Sequence, residues 1–142
     1  MLTLERVTKR FGGLTAVREV SLEVRAGDLL GIIGPNGAGK TTLFNVISGY
    51  YRPEEGRIAF DGRDVTGLSA HAISRLGLTR TFQIVKPFGN LSVEDNVMIG
   101  ALTRLASTRE ARAEAQHVIA LCGLGAHAHA RARALPLALR KR

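Results

Sequence analysis

The spacing of apolar positions shifts along the chain, and each shift predicts a different element. Leu2, Leu4 and Val7 open a strand over residues 2–7, Gly12-Gly13 turns the chain, and Val20, Leu22 and Val24 alternate in a returning strand. The unbroken apolar run Leu29, Leu30, Ile32 and Ile33 reads as a buried strand of a parallel sheet. Leu43, Phe44, Val46 and Ile47 are then spaced for the inner face of a helix, which Gly49 ends. Residues 53–66 carry two turn signals around Ile58-Ala59-Phe60, predicting a short strand and a hairpin-like return in a peripheral β layer. A helix is expected over about 69–76 and a strand over 78–82. Ser92 and Asp95 have capping-box spacing at the start of another helix, and Ser107 with Glu110 opens the longest one, running to about Cys122. Residues 123–133 (GLGAHAHARAR) read as a loop or frayed helix.

Composition narrows the class. A chain of 142 residues with 45% hydrophobic content can bury one sizeable core. No apolar run approaches the ~18 residues that span a bilayer, and the first residues lack the apolar centre of a signal peptide, so a cytoplasmic protein is expected. Cys122 is the only cysteine, which excludes an internal disulfide and a cysteine metal cluster and predicts a buried reduced thiol. His127 and His129 lack a nearby third metal ligand, and His71 and His117 read as solvated helix positions. The net charge of +8 is unevenly spread: residues 1–103 carry 12 basic against 10 acidic side chains, residues 104–142 carry 8 against 2. That basic stretch has no interleaved aromatics for base stacking, so nucleic acid is not an expected partner. It stops at Leu139-Arg140-Lys141-Arg142, in what reads as the middle of an amphipathic helix, which predicts a chain cut short.

The candidate chemistry lies between the predicted strand at 29–33 and the helix after it. Gly34, Pro35, Asn36, Gly37, Ala38, Gly39, Lys40, Thr41 and Thr42 hold the spacing G-x-x-x-x-G-K-[ST] of a phosphate-binding loop. Glycines at 34, 37 and 39 are expected to supply positive φ and close approach, so that backbone N–H groups and the helix dipole meet phosphate oxygens. Lys40 then reaches the β- and γ-phosphates, the Thr41 hydroxyl ligates Mg²⁺, and Thr42 adds a further donor. The expected ligand is a nucleoside triphosphate with Mg²⁺. Phe11, with Val17 beneath it, could offer an aromatic face to a base; taken alone, it reads sooner as an ordinary core or turn aromatic. Gln83 closes the predicted strand at 78–82 and points from its carboxyl edge, where ligands of open α/β sheets bind.

The segments VTKRFGGLTAV, GPNGAGKTT, and RTFQ followed by Pro87-Phe88 and LSVEDNV resemble the ATP-binding subunits of ABC transporters. Within that family SAHAISRLGLTRTFQ is most similar to the ATPases of bacterial branched-chain amino-acid importers. The resemblance implies an α/β P-loop NTPase (RecA-like) core with a peripheral antiparallel β layer, spanning about 1–83, and the start of an ABC-type helical subdomain from about 84. It implies that Phe11 is the aromatic on adenine, that Gly34 to Thr42 form the Walker A loop, and that Gln83 approaches Mg²⁺ and the attacking water. Ile84, Val85, Pro87 and Phe88 are the implied contact with a membrane permease at the cytoplasmic face of the membrane. A second ATPase subunit and, indirectly, an extracytoplasmic substrate-binding protein complete the implied assembly.

Departures from the family pattern matter as much. Where the family carries its LSGGQ signature, this chain has Leu135-Pro136-Leu137-Ala138-Leu139. Pro136 offers neither hydroxyl nor N–H, and Leu137 and Ala138 bring side chains where backbone must come close, so a degenerate signature and pairing with a non-identical ATPase are expected. The Walker B aspartate, catalytic glutamate, D-loop and switch histidine are not found; Ile58-Ala59-Phe60-Asp61 is only a faint likeness of Walker B. The chain alone is therefore expected to bind MgATP without efficient hydrolysis. Two other readings are a non-transport ATPase acting on nucleic acid or ribosomes, and a bare nucleotide-binding module.

Overall fold

The computed structural model describes residues 1–141 and forms two compact units, Met1–Arg80 and the residues from Thr81 on. In the first, β1 (Leu2–Phe11), β2 (Leu14–Val24), β3 (Glu55–Phe60) and β4 (Arg63–Asp64) make an antiparallel sheet in the order β2-β1-β3-β4. β1 runs four residues beyond the expected Val7, because irregularities let it bend and continue: Arg6 and Glu19 take φ of 48° and 46° where the register shifts. Such a bulge frees amides from the ladder. Here hydroxyls accept them, Arg6 N donating to Ser21 Oγ at 2.9 Å and Glu19 N to the buried Thr8 Oγ1 at 3.0 Å.

Helices α1 (Lys40–Ile47) and α2 (Ala70–Arg75) belong to the same unit. One core joins them to the sheet through Leu4, Val7, Val17, Leu43, Val46, Ile47, Ile58, Val65 and Ile73. Phe44, expected on the inner face of α1, is exposed. Gly49 follows the end of α1 at φ 75°, and a Cβ there would stand 2.6 Å from Leu68 O, so chain reversal and close approach both demand glycine. Ser69 caps α2 by accepting from Ala72 N. Asp61 of the faint Walker B likeness lies at the β3–β4 turn, ion-paired with the amino group of Met1.

Two expected strands do not form. Among the described residues neither 29–33 nor 78–82 takes part in a sheet, and Leu29 and Ile33 are 101% and 97% exposed. A parallel strand pairs only across a long crossover, and no described segment supplies that partner.

The second unit holds α3 (Val93–Ala101), α4 (Thr108–Leu121), 3₁₀ turns at Gly125–His127 and Ala132–Ala134, and α5 (Leu137–Arg140). Ser92 Oγ accepts from Asp95 N at 3.0 Å and donates to its carboxylate at 2.6 Å, while Ser107 caps α4. Val93, Ile119, Leu124 and Leu135 form the core. Cys122 is half-buried at its margin, because the helix ends on it and only one side packs, so the expected full burial does not occur. Glu94 is 3% exposed, yet its carboxylate accepts from Arg112 Nη1 at 3.0 Å and Gln116 Nε2 at 2.9 Å, tying α3 to α4. Residues 89–94 are bonded to 128–133 through Val93 N to Ala130 O and Ala132 N to Leu91 O. The basic end holds the single helical turn Leu137–Arg140, with Lys141 as its C-cap; Arg142 lies outside the described residues. No described helix is long and apolar enough to cross a membrane.

Candidate functional site

α1 begins differently from the serine-capped helices. Its N-cap is Gly39 at φ 82°, with no side-chain cap and no acidic residue in the first turn, so its leading N–H groups and dipole are left to an external acceptor. A Cβ on Gly39 would lie 2.1 Å from Ala16 O, so the loop rests directly on β2. Gly37 also has positive φ, at 84°, whereas Gly34 does not. What constrains Gly34 is space, since a Cβ there would press on Ala38 Cβ at 3.3 Å. The loop turns tightly through Ala38 N to Pro35 O at 3.3 Å, with Asn36 exposed on the turn.

Lys40 folds back over this turn. Its Nζ donates to Gly34 O at 2.6 Å and Pro35 O at 2.7 Å, which sets the ammonium against the loop's own carbonyls at the positive end of α1. A cation, open backbone amides and a helix N-terminus thus converge on one small region, the arrangement that binds concentrated anionic charge. Thr41 is exposed in the first turn of α1, and Thr42 is half-buried. Among the described residues no three His, Cys, Asp or Glu side chains gather into a metal site.

At the end of β1, Phe11 is 42% exposed, its ring edge-on to Tyr51 with centroids 5.1 Å apart and planes at 79°. Lys9 Nζ lies 5.2 Å from the Phe11 centroid and is itself held by Arg52 O at 2.9 Å and Glu54 Oε1 at 2.5 Å. Glu54 also accepts from Arg10 N at 2.6 Å; Lys9, and then this amide, lower its pKa. Val17 is buried in the core, its Cγ2 3.6 Å from where a Cβ on Gly39 would stand. Sequence reasoning missed Tyr51 and Lys9; the signal available was a pair of tyrosines directly after the helix-ending Gly49.

The remaining candidates lie in the second unit. Gln83 is exposed in an irregular segment, not at a strand end. Ile84 and Phe88 are exposed, while Val85 and Pro87 are half-buried. Asn96 fixes the backbone there, accepting from Phe88 N at 2.8 Å and donating to Phe88 O at 3.1 Å. Leu135 is buried, Pro136 is the N-cap of α5, Leu137 and Ala138 are exposed, and Leu139 is half-buried.

The chain matches the family described as ABC transporter over residues 17–139. A probable branched-chain amino acid transport ATP-binding protein LivG of Archaeoglobus fulgidus is 44% identical over 99 residues, 70% of this chain and 38% of that protein. The high-affinity branched-chain amino acid transport ATP-binding protein BraF of Pseudomonas aeruginosa is likewise 44% identical over 99 residues, 70% of this chain and 39% of its own length. The chain thus spans well under half of these relatives. Among solved structures, the ADP conformation of an ATP-binding cassette of an ABC transporter superposes with a TM-score of 0.83 at 30% identity, covering 98% of this chain and 60% of that one. A dimeric cassette in a post-hydrolysis state bound to ADP and Pi, at 24% identity and a TM-score of 0.84, shares the fold, covering 99% of this chain and 65% of that one. A glycine-rich loop seated on an antiparallel sheet, a lysine turned back over it, and a family match across most of the chain agree: this protein belongs to the ABC transporter family and has the α/β fold of its P-loop ATP-binding cassettes.

Proposed function

We propose that this chain holds MgATP as the nucleotide-binding part of an energy-coupling subunit of an ABC importer, with branched-chain or other amino acids as cargo. The observation that carries the reading is Lys40, whose ammonium lies 2.6 and 2.7 Å from Gly34 O and Pro35 O at the open N-terminus of α1. On binding, the ammonium exchanges these carbonyls for the β- and γ-phosphate oxygens, and the leading backbone N–H groups of α1 meet the same oxygens. Thr42 donates a further hydrogen bond, and Phe11 takes the adenine ring. The Thr41 hydroxyl, exposed in the first turn, is an oxygen donor suited to a hard divalent cation, and Gln83 is its second proposed protein ligand. When bound, Mg²⁺ neutralises charge on the phosphate oxygens.

In hydrolysis Gln83 orients the attacking water, while Lys40 stabilises charge on the transferred phosphoryl group. The general base and the second metal-holding carboxylate are not found in this sequence, so the chain on its own binds nucleotide with little turnover. Ile84, Val85, Pro87 and Phe88 are the proposed permease contact, at the cytoplasmic face of the membrane, and a substrate-binding protein acts through that permease. Pro136, Leu137 and Ala138 make a poor phosphate cap, which favours pairing with a second, non-identical ATPase. Equilibrium titration with a fluorescent ATP analogue tests the core of the reading: Lys40→Ala is expected to weaken binding at least about tenfold, the scale of one charge-assisted hydrogen-bonding group. Unchanged affinity refutes it.

A further inference from the structure

The base side and the phosphate side of the proposed nucleotide site share an element. Directly after α1, Tyr50 N and Tyr51 N both donate to Asn45 O, at 2.8 and 3.2 Å, so the tyrosine pair hangs from the helix that carries Lys40. A few residues on, the segment is tied to β1: Glu54 N donates to Thr8 O at 3.0 Å, and Glu54 Oε2 accepts from Arg10 N at 2.6 Å. Residues 50–54 are therefore a strap between α1 and β1, with Tyr51 at the point where the strap meets Phe11.

An exposed phenylalanine at a strand end turns freely about its side-chain torsions, and a base that stacks on it must first immobilise it. Phe11 is spared that cost. The Tyr51 ring crosses its edge at 79°, and Lys9 Nζ lies within 5.2 Å of the Phe11 centroid and 6.0 Å of the Tyr51 centroid. Lys9 cannot wander, because Arg52 O and Glu54 hold it.

We propose that Tyr51 is a positioning residue for base recognition, acting through Phe11 by fixing its ring plane at a set distance from the phosphate loop. This rests on Phe11 being the base platform. It predicts selectivity for nucleotides over bare polyphosphate that depends on a residue the nucleotide never touches.

Calorimetric titration of the chain with ATP and, separately, with inorganic tripolyphosphate tests it. Tyr51→Ala is expected to lose roughly threefold to tenfold in ATP affinity, the scale of an aromatic pair, with tripolyphosphate unchanged. Tyr51→Leu, which fills the space without a ring, should follow alanine, and Tyr51→Phe should match the wild type. Adding Tyr51→Ala to Phe11→Ala should cost nothing further, because the effect passes through Phe11. Equal losses for both ligands in the Leu variant, additive losses in the double variant, or a Phe variant as weak as Ala each overturn the proposal. A wild-type chain that holds ATP no better than tripolyphosphate overturns the base-platform reading itself.

Discussion

Strand β2 and the apolar run at 29–33 lie one short turn apart and end in different states. β2 pairs with β1 from Leu14 to Val24 and lends Val17 to the core, whereas Leu29 and Ile33 stand fully in solvent. Their sequences explain the contrast. Val20, Leu22 and Val24 alternate with polar residues, a pattern that needs one covered face, and Gly12-Gly13 delivers the partner strand at once. Leu29, Leu30, Ile32 and Ile33 are apolar on both faces, a pattern that needs flanking strands and cover on two sides. Among the described residues no strand supplies these. Apolarity alone does not bury a segment; it must coincide with a partner for the backbone.

The contrast breaks most sharply under charge. Ile58→Asp, at a position 1% exposed in β3, is expected to cost about 3–5 kcal/mol and to unfold the first unit, whereas Ile33→Asp should change stability by less than about 0.5 kcal/mol. Urea denaturation of both variants decides it; a comparable loss at Ile33 means that this run is buried in solution. A smaller effect probes where the exposed run is fastened to the sheet. Gly39→Ala sets a Cβ 2.1 Å from Ala16 O at φ 82°, so a loss of about 1–3 kcal/mol is expected, together with weaker nucleotide binding. Stability and affinity that both survive show that the loop is not seated on β2.

The smallest effect is electrostatic and confined to the sheet. Lys9 and the Arg10 amide hold the Glu54 carboxyl below its ordinary pKa, and hydrogen bonding from Thr66, then Arg57, does the same for Asp64. A carboxylate depressed in the folded state adds stability above its unfolded pKa and loses it as pH falls through the folded value. Midpoints of thermal unfolding should accordingly decline below about pH 4, and Glu54→Gln should flatten that decline. Both carboxylates are solvated, so the slope is shallow. A slope unaltered by the substitution places its origin elsewhere.

Features set by near neighbours in the chain were legible without coordinates. The turn at Gly12-Gly13, the serine caps at Ser92 and Ser107, the helix stop at Gly49 and the spacing of Lys40 in its loop each depend on a few adjacent residues, whose hydrogen bonds and φ values are local. The bulges that carry β1 on to Phe11 were not legible, because Ser21 and Thr8 accept the displaced amides from across the sheet. Nor was Tyr51 as the neighbour of Phe11: 40 positions separate them, and only the β1–β3 pairing and the strap after α1 bring the rings together.

The runs at 29–33 and 78–82 mark the same boundary from the other side. Their composition specifies strands, yet a strand is completed by hydrogen bonds to a neighbour, and hydrophobic period carries no information about whether one is present. Residue order along the chain therefore set the loop, the caps and the turns, whose partners lie within one turn of backbone. Long-range pairing set which apolar segments are buried, where Val17 points and what steadies Phe11, because those energies exist only between groups that folding brings together.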